Sequence, residues 1–216
     1  MKITILGSGT CIPSINRGSS GYLIETENNK ILLDCGNGTT WKLEKLNISY
    51  TDISHIFISH IHPDHTSDLI PFLFANKYPF DRKRTRSLEI WGPSGFADFF
   101  DSLNTTYNNW IYPDTLTIHE IIDNNLIFND FEVSSTYGNH SIDSLIYKIE
   151  SKGKSIVYSG DTDYCPQIVD ISKNADLLIV ECSNTDENKV EGHLSPKYII
   201  EIANEAIPKK IVLTHL

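Results

Sequence analysis

Four short β-rich runs in this chain each end on a histidine or an aspartate. "SHIFIS" stops at the cluster His60, His62, Asp64 and His65; "FEVSSTYGNH" ends at His140, "SIVYSGD" at Asp161 and "KIVLTH" at His215. A loop at the tip of a rigid strand lets polar side chains converge without burying unpaired backbone. Each of these residues sits where a parallel or mixed sheet would place its loops.

The segments between these runs read as alternating strands and helices. "KITILG", "GYLIET" and "KILLDCG" are strand-like, and "ENN" between the last two is a hairpin turn. Residues 39 to 47, with Trp41, Leu43 and Leu46, suggest a short helix. "TSDLIPFLFANKY" sets Leu69, Phe72, Leu73 and Asn76 at helical spacing, with Thr66 or Ser67 as N-cap. "SLEIWG" is a strand, and "SGFADFFDSLNTTY" is an amphipathic helix with Phe96, Phe99, Phe100 and Leu103 on one face.

The second half repeats this order. Strands are expected at about 115–121, 126–137, 145–150 and 154–158, a helix around 166–173, then strand "DLLIVE", helix "SPKYIIEIANEA" and a last strand at "KKIVLTH". Two β-rich parts, each followed by helices, predict an α/β four-layer αββα sandwich, two sheets face to face with helices outside. At 216 residues, a single domain spanning 1–216 is expected.

Composition narrows the function. A net charge of −10 argues against a surface coated in nucleic acid. The local exception is "DRKRTR", where Arg82, Lys83, Arg84 and Arg86 read either as a solvated loop or as a landing site for a phosphate-bearing substrate. No apolar run approaches the ~20 residues that span a bilayer, so no membrane partner is expected. The N-terminus reads as a strand rather than an export signal, giving a cytoplasmic expectation. Cys11, Cys35, Cys165 and Cys182 are widely spaced, form no CxxC pair, and read as reduced thiols.

His60, His62, Asp64 and His65 are four potential ligands within six positions, in a chain with eight histidines. Imidazole and carboxylate are what Zn²⁺ and similar ions take when thiolates are absent. Four from one segment exceed the need of one open catalytic ion and suggest two ions, each completed from elsewhere. His140, Asp161 and His215 are the candidates, and Asp161 could bridge two ions through its two oxygens. A lone histidine after a strand is more often a surface or satisfied core residue; His55 and His119 are read that way. Gly7 and Gly9 in "LGSGTCIP" are turn residues, since the segment lacks the lysine and spacing of a phosphate loop.

"SHIHPDH" with the later His140, Asp161 and His215 resembles the H-x-H-x-D-H signature and following motifs of the metallo-β-lactamase fold hydrolases. "ITILGSGTCIPS", "ILLDCGNGT", "IWGPSG", "YSGDT" and "GHLSP" are similar to the branch of ribonuclease Z and its small phosphodiesterase relatives. The resemblance implies that His60, His62 and His140 hold one metal ion and Asp64, His65 and His215 a second, with Asp161 and a hydroxide bridging them. Two zinc ions are implied, with Mn²⁺ or Fe²⁺ as alternatives. Asp64 would orient the hydroxide, and His193 in "EGHLS", supported by Glu181 in "LIVECS", would protonate the leaving alkoxide. The competing reading of His193 is a cap for the helix starting near Ser195.

Departures from the branch bear on the substrate. Ribonuclease Z proteins carry a long arm between the residues matching His140 and Asp161, which here stand 21 positions apart. Asn37 stands where the branch has glutamate. The expected reaction is hydrolysis of a small phosphodiester or cyclic nucleotide. Transfer-RNA 3′ processing, a non-catalytic metal-binding module, and hydrolysis of a sulfate ester or lactone are the alternatives. A homodimer is an assembly common to the branch.

Overall fold

The computed structural model describes every residue except Asp81 and Asp123. The chain forms two compact units, residues 2–120 and residues 121–216 with Met1. Each contains a six-stranded mixed sheet.

In the first unit the strands run in chain order: β1 (Lys2–Gly7), β2 (Gly21–Glu25), β3 (Lys30–Leu33), β4 (Ile53–Phe57), β5 (Leu88–Gly92) and β6 (Leu116–Glu120). β2 and β3 form the expected hairpin, Thr26 N–H donating to Asn29 O at 3.0 Å across "ENN". From β3 to β6 all pairs are parallel. Parallel neighbours need crossovers, supplied by α1 (Thr39–Lys45), α2 (Pro63–Thr66), α3 (Leu69–Lys77) and α4 (Phe96–Thr106). Leu23, Leu32, Ile56 and Ile90 share one apolar cluster with Leu43, Phe72, Leu73, Phe96 and Phe100 of those helices. All five β4 residues are buried, the pattern of a central parallel strand.

The second unit holds β7 (Asn125–Ile127), β8 (Glu132–Tyr137), β9 (Leu145–Ser151), β10 (Lys154–Tyr158), β11 (Leu177–Glu181) and β12 (Ile211–Thr214). β7 to β10 is an antiparallel meander; β10, β11 and β12 are parallel. α5 (Pro166–Ser172) and α6 (Pro196–Ala206) both begin with proline at the first helical position, where its fixed φ suits the helix and its missing N–H costs nothing. Ile168, Leu178, Val180, Ile199 and Ile202 belong to this unit's own apolar cluster. Among the described residues no helix is long and apolar enough to cross a membrane.

Three local expectations are corrected. The run 126–137 is two strands, because Asn129 and Asp130 form a turn closed by Phe128 N–H to Phe131 O at 2.9 Å. The helix after the histidine cluster starts at Leu69 with Asp68 at the N-cap rather than Thr66 or Ser67, because Pro63 has already started the short α2. Arg84 belongs neither to a solvated loop nor to a landing site. It is 4 % exposed, and its guanidinium donates to Asn76 Oδ1 at 2.7 Å, to Tyr50 O at 2.7 Å and to Ile53 O. Burial lowers its pKa to about 10. Arg82, Lys83 and Arg86 are exposed, and Asp81 lies outside the described residues.

His55 and His119 lie within β4 and β6, as expected of ordinary strand residues. The four cysteines are free thiols, Cys11 exposed and the others buried.

Candidate metal centre

In the first unit the potential ligands lie past the C-terminal end of β4. His60 follows the strand, His62 is the N-cap of α2, and Asp64 and His65 lie within α2. The expected loop is therefore half helix: a single turn started by Pro63 and braced by Thr66 Oγ1 donating to His62 O at 3.0 Å. That turn brings the ring centroids of His60 and His65 to 4.0 Å and puts His60 Nε2 3.0 Å from His62 Nδ1. His65 Nε2 is 3.6 Å from Asp64 Oδ2.

A buried network fixes these rings. Asp34, just past β3, accepts Ser59 N–H at 2.7 Å, Ser59 Oγ–H at 2.9 Å and His65 Nδ1–H at 2.7 Å. The one Ser59 hydroxyl proton goes to Asp34, so Ser59 Oγ accepts from His60 Nδ1 at 3.0 Å. Both histidines then carry their proton on Nδ1 and keep the Nε2 lone pair that a metal takes. Asp34 is fully buried and has φ 56°, a strained backbone of the kind that collects at functional sites.

The Asp34 segment also clamps the ligand helix. Cys35 N–H donates to His65 O at 2.8 Å, and Asp68 N–H donates to Cys35 O at 2.9 Å. Gly36 approaches so closely that a Cβ there would lie 2.0 Å from Asp64 O.

In the second unit Asp161, Glu181 and His215 stand at or just past the C-terminal ends of the parallel strands β10, β11 and β12. Side chains at that edge of an open α/β sheet are placed for ligands. His215 Nε2 lies 3.3 Å from Asp161 Oδ2, and Asp161, His193 and His215 offer ligand atoms within 4.8 Å of one another. The His193 ring stacks on His215 with centroids 5.6 Å apart and meets His140 edge-on at 4.9 Å. His215 has φ 55°, a second strained residue at the same kind of place.

His140 Nδ1 donates to Gly192 O at 2.8 Å, which leaves its Nε2 as the lone-pair atom. His193 Nδ1 lies 2.9 Å from Glu181 Oε1, so its ring is held by a carboxylate and does not cap α6, whose N-cap is Ser195. Glu181 is fully buried; Oε1 also accepts Thr162 N–H at 3.0 Å, and Oε2 accepts Ser183 Oγ–H at 3.1 Å. Asp163 steadies the His193 loop by pairing with Lys189 and accepting Gly192 N–H at 3.3 Å.

The donor set fits hard to borderline divalent ions: imidazole and carboxylate with no thiolate. Ligand atoms on one tetrahedral ion at ~2.0–2.1 Å stand about 3.3 Å apart. The pairs His60–His62, Asp161–His215 and Asp64–His65 stand at 3.0, 3.3 and 3.6 Å.

Asp34, Ser59 and Asp163 are the supporting residues not singled out from sequence. Asp34 carried a usable signal, since "KILLD" is another apolar strand ending on a carboxylate. Ser59 and Asp163 act through hydrogen bonds that no spacing announces.

Comparison with known proteins identifies the fold and the family. YhfI of Bacillus subtilis, named a probable metallo-hydrolase, is 29 % identical over 219 residues, covering 100 % of this chain and 87 % of YhfI. Its crystal structure, described as a metallo-β-lactamase fold protein, matches with a TM-score of 0.86 at 26 % identity, over 99 % of this chain and 85 % of that one. Human short-form tRNase Z matches with a TM-score of 0.84 at 28 % identity, over 100 % and 92 % of the two chains. A ribonuclease Z of Saccharolobus solfataricus is 30 % identical over 267 residues, covering 100 % of this chain and 88 % of that protein. The α/β fold read from the sequence is thus the metallo-β-lactamase fold, and the chain is a metallo-hydrolase of the ribonuclease Z-like branch. Within that branch one family profile, described as "Anti-Pycsar protein Apyc1", runs along residues 1–216 without remainder, and to that family the chain belongs.

Proposed function

We propose that the chain hydrolyses small phosphodiesters, cyclic nucleotides among them, with two divalent ions. His60, His62 and His140 would hold one ion, and Asp64, His65 and His215 the other, with Asp161 shared. This grouping rests on the family resemblance and on the donor chemistry of each unit; zinc is the first candidate, then manganese or iron. Bound ions would supply Lewis acidity toward a phosphoryl oxygen and lower the pKa of water.

The protein's own groups have defined tasks. The Asp64 carboxylate accepts a hydrogen bond from the attacking water and aligns it. His193, with Nδ1 toward Glu181, presents Nε2 to the leaving alkoxide oxygen and delivers its proton there. Glu181 keeps that tautomer and stabilises the imidazolium.

The observation that carries the small substrate is what fills the segment from His140 to Asp161. It is consumed by the antiparallel pair β9 and β10, closed by a two-residue turn at Lys152 and Gly153, both at positive φ. A two-residue turn of that kind leaves no chain for an RNA-gripping arm. The alignment with the archaeal ribonuclease Z runs over 267 residues against the chain's 216, whereas that with YhfI runs over 219. The net charge of −10 also disfavours a folded RNA. The second reading, transfer-RNA 3′ processing, rests on full-length similarity to ribonuclease Z proteins.

Metal-loaded protein should hydrolyse bis-p-nitrophenyl phosphate or a cyclic nucleotide well above a His65→Ala control. Elemental analysis run alongside should give two ions per chain. Efficient cleavage of a precursor transfer RNA with weak turnover of every small diester would replace this reading with the second. Metal uptake without turnover of any diester would reduce the chain to a binding module.

A further inference from the structure

His193 is carried by the connection 182–195 between β11 and α6, whose one regular element is the short 3-10 turn Asp186–Asn188. Glu187, Asn188, Val190 and Glu191 are exposed. A segment that buries so little apolar surface has low local stability. Proton delivery needs a donor held within hydrogen-bond reach of the leaving oxygen, and a misplacement of about 1 Å can cost about 10²-fold. Glu181 fixes the His193 ring; polar ties must fix the backbone that carries it.

Those ties meet at Asp163. Lys189 pairs with Asp163 Oδ2, and the same oxygen accepts Gly192 N–H at 3.3 Å. The Lys189 ammonium also lies 5.2 Å from the centre of the Tyr198 ring on α6, a favourable cation–π position. His193 N–H donates to Val190 O at 3.3 Å. Asp163 is anchored in its turn: its N–H donates to Asn139 O at 2.7 Å, and its Oδ1 accepts Tyr164 N–H at 2.7 Å.

Gly192 is the junction. Its N–H is held by Asp163, and its carbonyl accepts His140 Nδ1–H at 2.8 Å. Its φ is 84°, and a Cβ there would lie 3.0 Å from His140 Nδ1. A shift of Gly192 therefore moves the next residue, His193, against the His140 ring. Exposed ion pairs contribute little. This pair is mostly enclosed, with 23 % of the Lys189 side chain and 14 % of the Asp163 side chain exposed. Without the ammonium, a half-buried carboxylate would be drawn toward water and away from Gly192 N–H.

We infer that Lys189 is a positioning residue for leaving-group protonation: paired with Asp163 and laid against Tyr198, it pins Gly192 and so sets where His193 stands. This rests on the proposed hydrolysis of phosphodiesters with His193 as proton donor. It carries a leaving-group signature. p-Nitrophenolate departs as a stabilised anion and needs little help from an acid. Phenolate, as basic as a tyrosine side chain with its pKa of about 10, needs the proton.

The first test compares kcat of the metal-loaded full chain on diphenyl phosphate and on bis-p-nitrophenyl phosphate. Lys189→Met keeps an apolar stem against Tyr198 and removes the charge. It should lower kcat on diphenyl phosphate about tenfold, a part of the 10²- to 10⁴-fold that a general acid supplies. On bis-p-nitrophenyl phosphate kcat should stay within twofold of wild type, and KM should be unchanged on both. Lys189→Arg, which keeps the charge, should restore the wild-type ratio. Equal lowering on both esters, an unchanged ratio, or no rescue by arginine overturns the inference and leaves the hydrolase reading intact. A raised KM on both esters would make Lys189 a substrate contact and overturns it too. A wild type that hydrolyses neither ester overturns the proposed reaction itself, a result distinct from any of these.

The second test needs neither metal nor turnover. Hydrogen–deuterium exchange of the full chain, followed by peptide mass spectrometry, reads the pin directly. Lys189→Met should speed exchange across residues 183–195 about tenfold, the size of one lost hydrogen bond to a charged group. Peptides from α5 and β12 should keep their wild-type rates. Unchanged exchange across 183–195 overturns the inference even where the ester ratio falls. Faster exchange throughout the second unit would make Lys189 a general stabiliser and overturns it as well.

Discussion

Asp34→Asn is the sharpest test of how the first unit prepares its ligands. The substitution keeps size and shape, and asparagine tolerates φ near 56° better than almost any other non-glycine residue, so the backbone is not disturbed. The change is confined to hydrogen-bond polarity. The amide Oδ1 of the variant can still accept Ser59 N–H, which Asp34 accepts at 2.7 Å. The amide Nδ2 then replaces the oxygen that accepts His65 Nδ1–H at 2.7 Å and Ser59 Oγ–H at 2.9 Å. A donor at that position forces His65 to accept on Nδ1 and moves its proton to Nε2. The reverse flip sets the amide donors against Ser59 N–H. Either way the Nε2 lone pair beside Asp64 is lost or weakened. Losing such a supporting carboxylate costs about ten- to a hundredfold in metal affinity, or about 1.4–2.7 kcal/mol. Competition against a chromophoric chelator measures the affinity, and long-range ¹H–¹⁵N spectra of the imidazole read the tautomer directly. If Asp34→Asn binds metal within twofold of wild type, with His65 still protonated on Nδ1, the argument from hydrogen-bond polarity is wrong.

Other consequences can be checked separately. His193→Ala should lower kcat on diesters by about 10²- to 10⁴-fold as expected for a general acid, with metal content unchanged; loss of one ion per chain would make His193 a ligand with Asp161 and His215 instead. Arg84→Ala should lower stability by about 2–4 kcal/mol, because it leaves two buried carbonyls and the Asn76 amide oxygen without their donor; urea denaturation measures it, and a change under about 0.5 kcal/mol would contradict the burial argument. The Asp176 carboxyl is held well below the ordinary range, first by a hydrogen bond from Lys209, then by Ser155 N–H and by Lys154. A folded pKa below the unfolded one means that its stabilisation is complete above pH about 4 and is lost as pH falls below that. Asp176→Asn should therefore lower the thermal midpoint at pH 7 and lower it progressively less toward pH 2, and an equal decrease at both pH values would refute the assignment.

Much of the candidate site was legible because its residues obey one rule, a polar ligand type at the end of an apolar strand. The rule marks His60, His140, Asp161 and His215, and Asp34 at the end of "KILLD" obeys it too. Helical spacing matches burial where burial is periodic: Leu69, Phe72, Leu73 and Asn76 are the buried residues of α3. What escaped depends on partners distant in sequence. Arg84 reads as one of four cations close together, yet its partners are a helix amide and two backbone carbonyls, Ile53 O and Tyr50 O, the farther of them 34 positions away. Asp163 looks like an ordinary acid after "GDT", yet it holds the loop of His193 through Lys189 and Gly192. Hydrophobic period reports which face is buried; it is silent on which polar group meets which.

The contact between Gly36 and the Asp64 carbonyl bears on what holds the coordinating turn in place. Small metal-dependent domains such as zinc fingers acquire their shape only as the ion arrives. Here the backbone of the ligand helix is fastened to the end of β3 by Cys35, Gly36 and Asp68, with no ion in the linkage. The turn that carries these side chains is thus tied to the end of β3 by main-chain hydrogen bonds of its own. Position 36 is correspondingly closed to every residue but glycine: a single methyl group there would displace the turn that carries His62, Asp64 and His65, three of the seven proposed ligands.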